Sequence, residues 1–355
     1  DLTRLIVSKD GDLYFVQLPK GSVQRLTATK SKESNPTLSP DGKWVAYTRD
    51  NDLFAYDLAN SVEHQLTDDG NDVILNGYAS WVYYEEILGR RGRNRAFWWS
   101  PDSSRLAFLR FDDSRVPEFP IYRADGQHGE LELQRYPKAG DPNPTVRAAV
   151  VSVSDGATTW LDFDAKADHY LAFPVWTPDG SSLVMQWMNR GQDVLRLFAC
   201  DPSTGKKKLI HEEKQVAWVE FYEDLEILKD GSGFLFSSDV DGWRHIYRHA
   251  MDGALTNRLT SGSWPVRSLI AVDQNDGWVY FTGSPKKSWD TQFMRADLDG
   301  TNVEILTPAG GSHQVKLSPN GAHFVDTYSS IEHPTRMELR RGDGSLVREL
   351  GDQHI

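Results

Sequence analysis

Cysteine is almost missing from this chain. Cys200 stands alone among 355 residues, which excludes an internal disulfide and a cysteine-built metal cluster and leaves the redox compartment open. No apolar run reaches the 18 or more residues that a membrane span needs. The first residues carry neither the basic n-region nor the apolar h-region of a signal peptide, and a start at Asp1 rather than Met reads as a trimmed or partial chain. Positive charge is in deficit: 39 Lys and Arg against 51 Asp and Glu leave a net −12, which argues against nucleic acid, whose binding needs a basic footprint. Helical patterning is nearly absent, so helical solenoids are excluded. The ten His are scattered, without His-Glu-x-x-His spacing, and no Gly-rich phosphate loop occurs. Neither a metal nor a cofactor is expected.

Aromatic residues, in contrast, are plentiful, with 12 Trp, 13 Tyr and 15 Phe, a bias toward strands. Hydrophobic residues at 39% and charged residues at 25% are an ordinary balance for a chain long enough to bury a large core. A repeat organises these strands. Asp12-Leu13-Tyr14-Phe15-Val16-Gln17-Leu18 is echoed by Asp52-Leu53-Phe54-Ala55-Tyr56-Asp57-Leu58, and each is followed at the same distance by Leu-Thr, at Leu26-Thr27 and Leu66-Thr67. Similar strand endings recur at Trp160-Leu161, Leu209-Ile210, Leu259-Thr260, Leu306-Thr307 and Glu349-Leu350. Between them lie tight turns: Ser39-Pro40-Asp41-Gly42, Ser100-Pro101-Asp102-Ser103, Thr177-Pro178-Asp179-Gly180, Lys229-Asp230-Gly231 and Ser318-Pro319-Asn320-Gly321. Proline presets the first turn dihedral, and Asp or Asn with Gly completes the turn chemistry. Trp44-Val45-Ala46-Tyr47 and Leu106-Ala107-Phe108-Leu109 follow two of them as buried strands.

Seven such endings, roughly 40 to 50 residues apart, predict an all-β fold, a β-propeller of four-stranded blades in one domain over residues 1–355. A two-sheet sandwich is the alternative. The first repeat lacks a preceding Pro-Asp-Gly strand and reads as an incomplete blade, with at least one more blade expected upstream. The interval from Leu66 to Leu161 is too long for one repeat. Its excess predicts a short helical or loop insertion at 78–96 and a long hairpin arm at 115–145, the latter with a Pro-rich return through Tyr136-Pro137-Lys138-Ala139-Gly140-Asp141-Pro142-Asn143-Pro144.

The first insertion holds the chemistry. In Trp81-Val82-Tyr83-Tyr84-Glu85-Glu86-Ile87, two adjacent carboxylates emerge from residues of a packed wall, with Arg90, Arg91, Arg93 and Arg95 just behind. Two anions held together need an offsetting cation or donor, which points to a site receiving a cation such as a peptide's free amino terminus.

Four pieces of the chain, in order, carry a resemblance to a known family: Trp81 to Glu86; Trp99-Ser100-Pro101-Asp102 with Phe111-Asp112-Asp113; Val116-Pro117 leading to Tyr136–Gly140 and Asn143-Pro144-Thr145-Val146; and Gly242-Trp243-Arg244-His245-Ile246-Tyr247. In these the chain resembles the dipeptidyl peptidase IV branch of the prolyl oligopeptidase family. The resemblance implies an eight-bladed propeller capping an α/β-hydrolase domain with a Ser-Asp-His triad. It also implies that Glu85 and Glu86 bind the substrate's N-terminal ammonium, so that Xaa-Pro or Xaa-Ala dipeptides are released. Arg4 would touch the substrate carbonyl and Phe221 would belong to an aromatic wall beyond the specificity pocket, although spacing around Phe221 departs from the family by about two residues. The 115–145 arm would make a homodimer, and the location would be periplasmic or secreted. His245 reads as a packed blade residue.

The hydrolase half is expected to be absent. No Gly-x-Ser-x-Gly elbow occurs, since Gly310-Gly311-Ser312-His313-Gln314 ends in the wrong residue, and alternating strand and helix patterns are missing. The chain by itself is therefore expected to be inactive, a substrate-gating propeller partnered by the catalytic domain of its parent peptidase. The propeller of a tripeptidyl- or endo-acting relative and a stand-alone peptide-binding propeller are the alternatives.

Overall fold

Four of the turns that punctuate the sequence are built on one plan, and the turn at Lys229-Asp230-Gly231, with Leu228 in place of the Ser or Thr, lacks its hydroxyl. In the computed structural model, which describes residues 3–89, 94–308 and 310–352, Ser39 Oγ donates to Asp41 Oδ1 at 2.7 Å and accepts from the Trp44 N–H at 3.0 Å, while Ser39 N–H donates to the Trp44 carbonyl at 2.9 Å. Ser100 with Asp102 and Arg105, Thr177 with Asp179 and Ser182, and Ser318 with Asn320 and His323 repeat the arrangement. Each of these turns satisfies most of its own backbone groups through side chains two to five residues away, and remote side chains add to some of them, as Ser103 Oγ does by accepting the Asp41 N–H at 3.0 Å.

The Leu-Thr endings have an equally local cause. Leu26 N–H donates to the Leu13 carbonyl at 2.8 Å, and Leu13 N–H donates back to Thr27 Oγ1 at 2.9 Å. The same exchange joins Leu66 and Thr67 to Leu53, Leu259 and Thr260 to Ile246, and Leu306 and Thr307 to Phe293. The threonine hydroxyl also meets the residue just before its partner: Asp52 at 2.7 Å, the His245 ring at 3.0 Å and Gln292 at 2.9 Å. The dipeptide is a latch between the last two strands of a blade. Leu209-Ile210 and Glu349-Leu350 differ from the expectation, because they lie inside the long strands Lys207–Lys214 and Leu346–Asp352 rather than at strand ends. Neither has a threonine to make the latch.

Two compact units divide the chain, Asp1–Phe221 and Tyr222–Ile355. In the first unit a three-stranded sheet (Arg4–Lys9, Asp12–Gln17, Ser22–Arg25) precedes a four-stranded one (Ser34–Leu38, Trp44–Arg49, Asp52–Asp57, Val62–Gln65). The latch aligns Asp12–Gln17 with Asp52–Asp57, so among the described residues the first sheet has no counterpart of Ser34–Leu38. A third sheet, described with the site below, and a fourth (His169–Trp176, Leu183–Asn189, Val194–Cys200, Lys207–Lys214) complete this unit. The second unit holds three four-stranded sheets starting at Glu226–Ile227, Val266–Asp273 and Ser312–Leu317. Neighbouring strands are antiparallel and nearly all consecutive in the chain. These are propeller-type blades, and the fold is all-β.

Alternation along the strands puts one set of side chains between blades. Ala46, Leu53 and Ala55 of the second sheet meet Phe97, Leu106, Phe108, Ala149 and Val151 of the third in a single buried cluster. Leu235, Ile246, Val279, Phe281 and Met294 do the same in the second unit. Each large side chain removed from water here contributes about 1.5–3 kcal/mol.

Candidate functional site

Strand Arg105–Asp112 pairs along one side with Thr145–Ser152 over its whole length. Its other side is shared by two short strands placed end to end. Ile74–Asn76 pairs with Arg110 to Asp112, and Phe97–Trp99 pairs with Leu106 to Phe108. The two pieces therefore occupy one strand position, and everything between Asn76 and Phe97 is an excursion from it. Its root is stitched shut: Ala79 N–H donates to the Asn94 carbonyl at 2.7 Å, Ala96 N–H to the Gly77 carbonyl at 2.9 Å, and Tyr78 bridges Arg95. Gly77 and Asn94, at φ 66° and 68°, make the corners, a conformation that Gly and Asn tolerate best. The second insertion leaves the same blade, rising at Asp113 and rejoining at Thr145 as the hairpin Glu118–Arg123 and Glu130–Arg135.

Within the excursion, Tyr83–Ile87 forms one turn of π-helix, closed by Leu88 N–H to the Tyr83 carbonyl at 2.7 Å. Such wide turns occur mostly as single pieces and often at functional sites. Only Tyr83 of the five is buried; Glu85 is half-buried and Glu86 exposed. Both carboxylates sit in the first turn, where the backbone N–H groups favour anions. On the other flank Trp81 meets Tyr84 and Tyr136 edge-on, with ring centroids at 6.2 and 5.9 Å, and Tyr136 meets Phe119 of the arm. The arm base is thereby packed against the excursion.

A cleft of about 510 Å³ lies at that junction, lined by Tyr78, Ser80, Trp81, Tyr84, Asp113, Glu118 and Arg135 among others. Arg135 is held on the arm side of it, paired with Glu118 at 3.1 Å and donating to the Val116 carbonyl at 2.9 Å. Asp113, 5% exposed, has its carboxyl pushed up to about 6 by burial, with the Ser80 hydroxyl and Arg135 pulling it partly back. Ser80 stands near Asp113 but outside hydrogen-bond geometry, and Asp113 Oδ1, Ser80 Oγ and Trp81 Nε1 lack hydrogen-bond partners.

Arg4 is half-buried, and its Nη1 donates to the Gly42 carbonyl at 3.1 Å and the Asp41 carbonyl at 3.4 Å. Its guanidinium thus seats the turn of the second blade. Phe221 is half-buried and packs edge-on to Phe173, with centroids at 5.6 Å. Sequence reasoning missed Phe173. It lies at a register shift between Ala172 and Val175, with φ 45°, a conformation a bulky residue adopts only when the surroundings impose it. Pro174, an unusual residue for a strand interior, was the available signal. Arg95 is exposed; Arg90, Arg91 and Arg93 lie outside the described residues. His245 binds Thr260 and the Gly262 carbonyl through its two ring nitrogens, and burial lowers its pKa, as suits a packed residue. His313 is likewise committed, to Asp326 and the Gly310 carbonyl. Among the described residues no group of three or more His, Cys, Asp or Glu is placed to hold a metal ion, and no helix is long and apolar enough to cross a membrane.

Comparison with known proteins bears directly on these features. The family model described as the dipeptidyl peptidase IV (DPP IV) N-terminal region matches residues 4–335. The chain belongs to that family. The crystal structure of Porphyromonas gingivalis dipeptidyl peptidase 4 superposes on 98% of this chain and 50% of its own, with TM-score 0.88 and 30% identity. A second solved structure, from Bacteroides ovatus, shares the fold with TM-score 0.83 at 22% identity. Dipeptidyl peptidase 4 of Trichophyton tonsurans is 29% identical over 342 residues, 90% of this chain and 43% of that protein, and that of Trichophyton rubrum is 28% identical over the same span. The chain thus spans about half the length of the relatives it matches. It is an N-terminal propeller region of the dipeptidyl peptidase IV family, and the two insertions are features of that region's third described blade.

Proposed function

We propose that this propeller gates access to a dipeptidyl peptidase IV-type catalytic domain and recognises the free amino terminus of peptide substrates through Glu85 and Glu86. The supporting observation is the excursion between Asn76 and Phe97. It interrupts one strand position of its blade and uses the added length to hold two neighbouring carboxylates on a single helical turn. An ammonium between two carboxylates gains charge-assisted hydrogen bonds, and a peptide without a free amine forfeits them. The anchor therefore acts as a ruler, limiting cleavage to Xaa-Pro or Xaa-Ala dipeptides. Bond cleavage itself belongs to the catalytic domain of the parent protein, which we propose to be periplasmic or secreted. Arg4 and Phe221 are proposed secondary contacts to the substrate.

The hairpin arm is the proposed homodimer contact. Tyr122, Leu131 and Leu133 are 62–69% exposed on its two strands, a density of uncovered apolar side chains that favours a partner surface.

The deciding experiment is Glu85→Ala and Glu86→Ala in the full-length protein, assayed on Ala-Pro-p-nitroanilide. Each change removes a charge-assisted contact worth roughly 1.5–3 kcal/mol, so kcat/KM is expected to fall about ten- to a hundredfold. Wild-type kinetics in both variants would reject the anchor.

A further inference from the structure

The π-helical turn has no side-chain cap at its start, and nothing in its own sequence dictates how it is rotated against the blade. Tyr83 does that. Its ring is 1% exposed and packs on Phe111 at 4.5 Å and Tyr170 at 6.4 Å between centroids. Its hydroxyl accepts the Leu171 N–H at 3.1 Å. Leu171 belongs to His169–Trp176, the edge strand of the next sheet, which pairs on one side only. A buried N–H on the open side of an edge strand needs a partner, and the tyrosine of the excursion supplies it. Tyr170 beside it is fixed in turn, accepting from Asn143 Nδ2 at 2.8 Å and Arg190 Nη1 at 3.2 Å. On one helical turn the side-chain directions are fixed relative to one another by the backbone. Locking Tyr83 into the neighbouring blade therefore sets the direction in which Glu85 and Glu86 project.

We infer that Tyr83 is a positioning residue for amino-terminus recognition: its hydroxyl, bound to the Leu171 N–H, fixes the orientation of the two glutamates. The inference rests on the anchor reading above. Without the hydroxyl the turn keeps its ring seat but loses its fixed rotation, and the carboxylates no longer meet an ammonium together. Contacts to the rest of the substrate are unaffected.

The test is the full-length protein, with Ala-pyrrolidide and its desamino analogue propionyl-pyrrolidide as competitive inhibitors of Ala-Pro-p-nitroanilide cleavage. The ratio of the two Ki values reads the ammonium contact alone, and because both are measured on one preparation, loss of folded protein cancels. Tyr83→Phe is expected to reduce the preference for the amine roughly tenfold, with the propionyl Ki unchanged, and Glu85→Gln to reduce it at least as much. If Glu85→Gln lowers the preference while Tyr83→Phe retains it, the positioning role is wrong and the anchor stands. If Glu85→Gln also retains it, the anchor itself is wrong. Should Tyr83→Phe fail to fold, 4-aminophenylalanine at position 83, which keeps the ring and its para substituent but is a poor acceptor for the Leu171 N–H, is read by the same rule.

Discussion

Asp113 shows how one buried carboxyl can be read as a pH dependence. Its folded value of about 6 lies above the ordinary 3.8 because burial disfavours the anion. Below about pH 4 the group is protonated in both folded and unfolded chains and contributes nothing. As pH rises from about 4 to about 6, the unfolded chain gives up its proton while the folded chain keeps it, so stability falls. Above that range a constant cost on the order of 3 kcal/mol remains, because each tenfold difference in proton affinity between the two states is worth about 1.4 kcal/mol. Asp113→Asn is expected to remove this dependence, raising the urea midpoint at about pH 7 relative to the parent while changing it little at about pH 4. Equal gains at both pH values would place the effect elsewhere. At this scale the sequence was only partly legible. Adjacent carboxylates among aromatics are visible in the string, but the use of Arg4 by the Asp41–Gly42 carbonyls, the left-handed Phe173 and the burial of Asp113 arise from contacts distant in sequence, which no local pattern encodes.

Latches and turns were legible because their partners are near in sequence. A Leu-Thr pair and the residues it closes on lie 13 to 15 positions apart, and the Ser-Pro-Asp turn closes on itself. Thr260→Val tests the latch. It leaves the Ile246 N–H, now bound to Thr260 Oγ1 at 3.0 Å in the interior, without an acceptor, at a cost of about 1–3 kcal/mol. A lower urea midpoint with an unchanged m value is the expected result. Less legible was the nature of the two insertions. Their lengths and places could be read as surplus over the repeat, yet the division of one strand position between Ile74–Asn76 and Phe97–Trp99 could not. Two three-residue segments are too short to show a period, and only shared pairing with Arg105–Asp112 reveals them as one strand. Replacing Glu118 to Arg135 with a tight turn is expected to convert the full-length protein from dimer to monomer by sedimentation velocity; an unchanged oligomer would remove the arm from that interface.

For the whole molecule, the all-β class and the blade pattern followed from repetition, whereas the peptide-length preference of the parent protein depends on distances the string does not hold. A ruler set for two residues predicts that the full-length protein cleaves Ala-Pro-p-nitroanilide far better than Ala-Ala-Pro-p-nitroanilide, and the reverse order would assign the propeller to a tripeptide-releasing relative. The latches carry one more consequence. Each bolts together strands of a single blade, and the blade that carries both insertions still closes its last two strands by Leu161 N–H to the Ala148 carbonyl at 2.9 Å. Lengthening a connection upstream of that bolt adds little to the entropy lost on closing it. New loops could thus be spliced into this blade, and tried as tools for handling peptides, while the sheet beneath them went on folding as before.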